Sequence, residues 1–95
     1  MSCRVSFEDE HGSTHAVTVT ASSLFEAVGL AVKAFAAQPW TPPVSPATPL
    51  IVVVSAPIAQ HQVTVQKVRQ WASGTARSPA DRLQRERVRS LLATT

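Results

Sequence analysis

The sequence predicts an α+β domain: a four-stranded antiparallel sheet from two ββα units in ββα-ββαα order, with helices packed mainly on one face. Three observations lead there. Leu50-Ile51-Val52-Val53-Val54 is a run of five apolar residues, four of them β-branched, which suits a pleated strand and loses rotamer freedom in a helix. Ser23 followed three residues later by Glu26 is a capping box, and it opens an apolar pattern at spacings of three and four. His15-Ala16-Val17-Thr18-Val19 resembles His61-Gln62-Val63-Thr64-Val65, and each copy follows a strand and precedes a helix, as two units about an approximate twofold would require. The 95 residues divide into a ββα unit over 1–37, a proline-rich loop over 38–49 and a ββαα unit over 50–95, all within a single domain.

Residues 3 to 7 alternate Cys3, Val5 and Phe7 against Arg4 and Ser6, the period of a half-buried strand. Glu8-Asp9-Glu10-His11-Gly12-Ser13 reads as a hairpin loop, after which Ala16-Val17-Thr18-Val19-Thr20 alternates again. Pairing across that loop puts Val5 near Val17, Cys3 near Val19 and His15 near Phe7. In the first helix Leu24, Val28, Ala31, Val32 and Phe35 share one face, Glu26, Gly29 and Lys33 the opposite one, and Ala27, Leu30 and Ala34 a second apolar strip. Phe25 falls at the border of the main stripe, with no role assigned.

Pro39, Pro42, Pro43, Pro46 and Pro49 leave residues 38–49 no room for regular hydrogen-bonded structure, so the segment is an extended loop. The burial energy of an indole favours Trp40 pinning that loop to the core; left exposed, it would be an anchor for a partner. The Leu50–Val54 strand follows, then a turn at Ser55-Ala56-Pro57 and a strand over 59–65. A short helix from about Gln66 to Ala72 turns Val68, Trp71 and Ala72 inward and has Gly74 as its C-cap. The last helix opens with Ser78 as N-cap, Pro79 at the first helical position and Asp81 completing the box. Ala80, Leu83, Val88, Leu91 and Leu92 lie on its inner side, Arg82, Arg85 and Arg89 on its outer side, and Arg87 at the core edge with its head in water.

Hydrophobic residues at 44% and charged residues at 16% argue against intrinsic disorder. A single cysteine excludes an intramolecular disulfide and four-cysteine zinc sites, and no stretch has signal-peptide or membrane-span length, so a cytoplasmic location is expected. The net charge of +3 is unevenly spread. Beyond Val65, seven basic residues against Asp81 and Glu86 leave the last third at +5, and Arg4 and Lys33 against four acids leave the rest at −2. Such polarity favours an acidic partner, although a solvated arginine-rich helix produces the same pattern.

Residues fit for catalysis are scarce. Gly12, Gly29 and Gly74 are too far apart for a phosphate loop. Cys3 and His15 have the chemistry of a thiolate pair, but Cys3 alternates with core side chains and reads as a buried structural thiol. His15 and His61 occupy equivalent places in the repeat, yet no third metal ligand has suitable spacing. Glu8, Asp9 and Glu10 match no calcium loop. No enzyme activity, metal or cofactor is therefore expected, and no small-molecule substrate.

Two binding roles remain. The apolar strand needs cover on both faces: one helix of this chain supplies one, and a second helix or a second molecule must supply the other. A self-associating interaction module, a homodimer or larger, is the first expectation, its interface drawn from Ala27, Leu30, Ala34, Trp40, Ile51 and Val53. The alternative is nucleic-acid backbone binding through Lys67, Arg69, Arg77, Arg82, Arg85 and Arg89. Few aromatics to stack bases, and no helix-turn-helix or zinc-finger pattern, weigh against it.

Overall fold

Strand alternation sets which side of each strand is dry, and the two hairpins join so that their dry sides coincide. A computed structural model describes residues 1–55 and 58–93. In it β1 (Ser2–Glu8) pairs with β2 (Thr14–Thr20), and β3 (Pro49–Ser55) with β4 (Ile58–Thr64), both antiparallel. β1 and β3 also pair antiparallel, giving the order β2-β1-β3-β4. Val5 stands opposite Val17, Cys3 opposite Val19 and Phe7 opposite His15, the register that alternation predicts. Cys3, Val5, Phe7, Leu50, Val52, Val54 and Val63 are buried on the inner face. The first hairpin turns at Gly12, whose φ of 82° is the left-handed conformation that a side chain disfavours. The turn expected at Ser55-Ala56-Pro57 falls on Ala56 and Pro57, which lie outside the described residues.

α1 (Leu24–Ala36) crosses the inner face over β2 and β1. Ser23 caps it, its hydroxyl accepting from the Glu26 N–H at 3.1 Å. The helix is apolar almost all round, and such a helix must be enclosed. The sheet covers Val28, Ala31, Val32 and Phe35, while α3 (Pro79–Ala93) approaches the other side at Gly29. A Cβ at Gly29 would sit 3.4 Å from the Leu91 side chain, so the two helices are in contact at this position.

α2 (Val65–Ala72) begins directly where β4 ends, one residue earlier than its expected start, with Thr64 accepting from the Lys67 N–H at 3.2 Å as N-cap. Val68 and Ala72 are buried as expected, and Trp71 is half-buried against Phe25, ring centroids 5.2 Å apart. Gly74 is not the C-cap. Ser73 ends the helix in right-handed conformation, and a Cβ at Gly74 would lie 3.0 Å from the Arg85 guanidinium and 3.2 Å from the Trp71 carbonyl oxygen. Glycine at 74 keeps the path of Arg85 clear.

α3 packs on α1 and, less extensively, on α2, forming a third layer above the helices. The sheet order is the one a twofold relating two ββα units generates, but the helices break it. α1 has 13 residues and follows a linker, α2 has 8 and follows none.

Candidate interaction surface

Because all three helices lie on one side, the other face of the sheet has no cover from the described residues. β3 is one of its two interior strands. Ile51 stands between Ser6 and Gln62, and Val53 between Arg4 and Gln60. Beyond these neighbours Ala16 and Thr18 on β2 are exposed, as are Gln60 and Gln62 on β4. Ile51 and Val53 are consequently half-buried, shielded by flanking side chains alone. β3 is thus an interior strand with a dry side and a wet side, where the sequence had called for cover on both. No helix of the described residues supplies the second cover.

The other expected interface residues are scattered. Ala27 is fully buried in the core, while Leu30 and Ala34 remain half-buried on the flank of α1. Trp40 is 76% exposed and does not pin the proline-rich loop; Val44 does that, packed against the core. The loop is further tied by the Gln66 N–H, which donates to the Pro46 carbonyl at 3.1 Å. Trp40→Ala is expected to leave stability within about 0.5 kcal/mol of the parent in urea unfolding, the usual range for an exposed position. Two clefts flank the loop and were not foreseen, because proline content foretells an irregular path but not where it leaves gaps. One, of about 420 Å³, reaches Val32, Phe35 and Val65; the other, of about 570 Å³, lies between the loop and Phe7, Asp9 and His11.

On α3 the expected faces are partly exchanged. Leu83, assigned inward, is 68% exposed, and Ala80 is exposed too. Arg85, assigned outward, turns in: its Nε pairs with Asp81 at 2.8 Å, its Nη1 donates to the Trp71 carbonyl, and its guanidinium lies 4.8 Å from the Trp71 ring centre. It is withdrawn from any nucleic-acid surface. The inner stripe of α3 runs Asp81, Gln84, Arg85, Val88, Leu91 and Leu92, polar in its first half and apolar in its second. Lys67, Arg69, Arg77, Arg82 and Arg89 are exposed, and Arg69 and Arg89 line one depression beside Ala72 and Leu92.

Glu26, placed on the solvent side of α1 by periodicity, is only 4% exposed. Its carboxylate accepts from Gln84 Nε2 at 2.9 Å, from the Ser22 hydroxyl at 3.1 Å and from the Ser22 N–H at 3.3 Å, and Arg87 Nε lies 3.2 Å away. Burial alone would raise its pKa; the donors from Gln84 and Ser22 and the Arg87 charge outweigh burial and hold it below its ordinary value of 4.5. A depressed carboxylate contributes stability that is present above that ordinary value and is lost as the pH falls through the lower folded-state value. Glu26→Ala is expected to cost about 2–3 kcal/mol at neutral pH, the scale of hydrogen bonds to a buried charge. Urea unfolding followed from pH 7 into acid should show the loss shrinking below about pH 4.5, where the parent forfeits the same contribution.

A second polar cluster closes the first hairpin. Asp9 accepts from His15 Nε2 at 2.8 Å and from the N–H groups of His11 and Ser13, and these bonds hold its carboxyl below the usual value, His15 foremost. His15 also stacks on Phe7, ring centroids 5.1 Å apart, so it closes the hairpin end of the core. His15 and His61 sit on the two opposite border strands and do not meet. Cys3 is buried opposite Val19, four residues from the Phe7–His15 pair, or about 13 Å along the strands. The hairpin therefore does not place Cys3 and His15 side by side, as a thiolate pair would need. Among the described residues no three His, Cys, Asp or Glu side chains gather as metal ligands, and no helix is long and apolar enough to cross a membrane. Comparison with protein-family models, with curated proteins and with solved structures finds no match for this chain.

Proposed function

We propose that this chain is a non-enzymatic interaction module that associates with itself through the open face of its sheet. The observation that carries the reading is the position of Ile51 and Val53: β-branched, side by side on an interior strand, and facing away from every helix. On a domain that keeps this face wet, polar side chains would serve those two positions equally well, and a second copy laid over them removes both from water. Seven-residue strands at about 3.3 Å per residue and four strands at about 4.8 Å make a face of roughly 23 by 19 Å. A contact confined to it falls at the weak end of protein interfaces, below about 1,200 Å² in total, so micromolar association is expected.

Sedimentation equilibrium tests the reading. The weight-average mass should rise above the 10.2 kDa of one chain as concentration increases through the high-micromolar range. A constant monomer mass there overturns it.

A second reading is favoured by one observation, the convergence of Arg69 and Arg89 on a single depression with no acidic side chain among its lining residues. In that reading these two, with Lys67, Arg77 and Arg82, hold nucleic-acid phosphates. Anisotropy titration with oligonucleotides near 50 mM salt decides it, since phosphate-driven binding is strongest there; no binding removes the reading.

A further inference from the structure

Natural sheets defend their border strands with lysine, proline, bulges or a covering element, because an unpaired row of N–H and C=O groups is a template for another strand. β2 has none of these defences. Thr14-His15-Ala16-Val17-Thr18-Val19-Thr20 contains no lysine, arginine, acid, glycine or proline, and five of its seven residues are β-branched. Its pairing with β1 runs without a bulge from Thr14 to Thr20. Its one ionisable side chain, His15, is already engaged by Asp9. Among the described residues no backbone hydrogen bond crosses its outer border. β4 presents Gln60, His61 and Gln62, a poorer strand sequence for the same purpose.

Two further features lie along the same border. Val17 and Val19 point toward the helices yet are only half-buried, because no strand of the described residues lies beyond β2 to complete their enclosure. Above them runs the flank of α1 that carries Leu30 and Ala34. At 100° per residue Leu30 is about 140° around the helix from Phe25, which touches α2, and about 100° from Gly29, which touches α3. Leu30 also lies only about 40° from Glu26, which pairs with Gln84 and Arg87 of α3, so it borders that helix, and Ala34, about 80° from Glu26, is the position of the flank turned further from α3.

We infer that β2, with the Ala34 side of α1 above it, forms a contact with a second copy of this chain, the two β2 strands pairing antiparallel across a twofold at Val17. The register follows from the strand's own symmetry. Val17 meets Val17 of the second copy, His15 meets Val19, Ala16 meets Thr18 and Thr14 meets Thr20, with no like charges opposed. The two sheets become one of eight strands, and the two α1 helices face each other across the twofold. The contact leaves Ile51 and Val53 untouched, and it sets the two open faces on the same side of the enlarged sheet.

Val17→Cys crosslinking, run in parent and Ile51→Lys backgrounds, tests the inference together with hydrogen exchange on the unmodified chain. Paired strands hold facing Cα atoms within disulfide reach, whereas buried Cys3 is out of range. The expected result is an interchain disulfide at Val17→Cys that survives Ile51→Lys and exceeds that of a Thr75→Cys control. Alternate amides of Thr14–Thr20 should exchange at least about tenfold more slowly as concentration rises. If the chain associates but Val17→Cys crosslinks no better than the control and β2 amides exchange at a concentration-independent rate, the border contact is overturned and the face contact stands. If the variant does not fold, exchange on the unmodified chain decides alone. A strictly monomeric chain overturns both contacts.

Discussion

Leu92→Ala is expected to destabilise the domain by about 2–5 kcal/mol, whereas Leu83→Ala, nine positions earlier on the same helix, should change stability by no more than about 0.5 kcal/mol. Both are leucines of α3 that hydrophobic pattern alone assigns to the core. Leu92 is buried where α3 meets α2, and truncation there leaves a cavity that close-packed neighbours fill only in part. Leu83 stands in solvent at the start of the helix and loses nothing that folding had gained. Urea unfolding of both variants measures the difference directly. Equal losses would mean that α3 is rotated from the position described, and with it the polar pairing of Arg85 and Gln84.

Ile51→Lys carries the second large effect. It puts an ammonium at the middle of the open face without touching the inner core, because odd and even positions of β3 point to opposite sides. The fold should survive, with its unfolding midpoint near that of the parent, since the lysine head remains in water when the chain is alone. The face-mediated step of association should weaken at least about 100-fold, equivalent to about 2.7 kcal/mol, the loss expected when a central interface residue becomes an uncompensated charge. Sedimentation over a concentration series reads this as a shift of the association curve to higher concentration. Val53→Lys should act in the same direction, and Gln60→Lys, on exposed β4, far less.

How much of this was legible in the sequence depends on whether side chains followed the simple rule of apolar inward and polar outward. The hairpin register could be read from Cys3, Val5 and Phe7 facing Val19, Val17 and His15, because one-residue slips would invert every side chain. The start of α1 was readable from Ser23 and Glu26. The faces of α3 were not, because its first inward turns are filled by polar groups: Asp81 and Arg85 pair with each other, Arg85 also donates to the Trp71 carbonyl, and Gln84 donates to Glu26. Glu26 misled for the same reason: a carboxylate looks like surface until its donors, Gln84 from 58 residues away among them, are placed. Gly74 reads as a cap on local grounds, whereas its service is to Arg85, a residue of the next helix. In the candidate interface, the strip Ala27-Leu30-Ala34 was visible as periodicity, but only the position of β2 beneath α1 shows that Ala27 is enclosed while Leu30 and Ala34 stay at the border.

The face contact is tested most directly at the methyl groups themselves. In the chain labelled with ¹³C at isoleucine and valine methyls, a soluble paramagnetic probe should broaden the Ile51 and Val53 signals strongly in dilute solution and progressively less as concentration rises, while buried Val52 and Val5 stay protected throughout. Attenuation at Ile51 and Val53 that is the same at every concentration, in a sample whose mass has risen above that of one chain, would contradict the account.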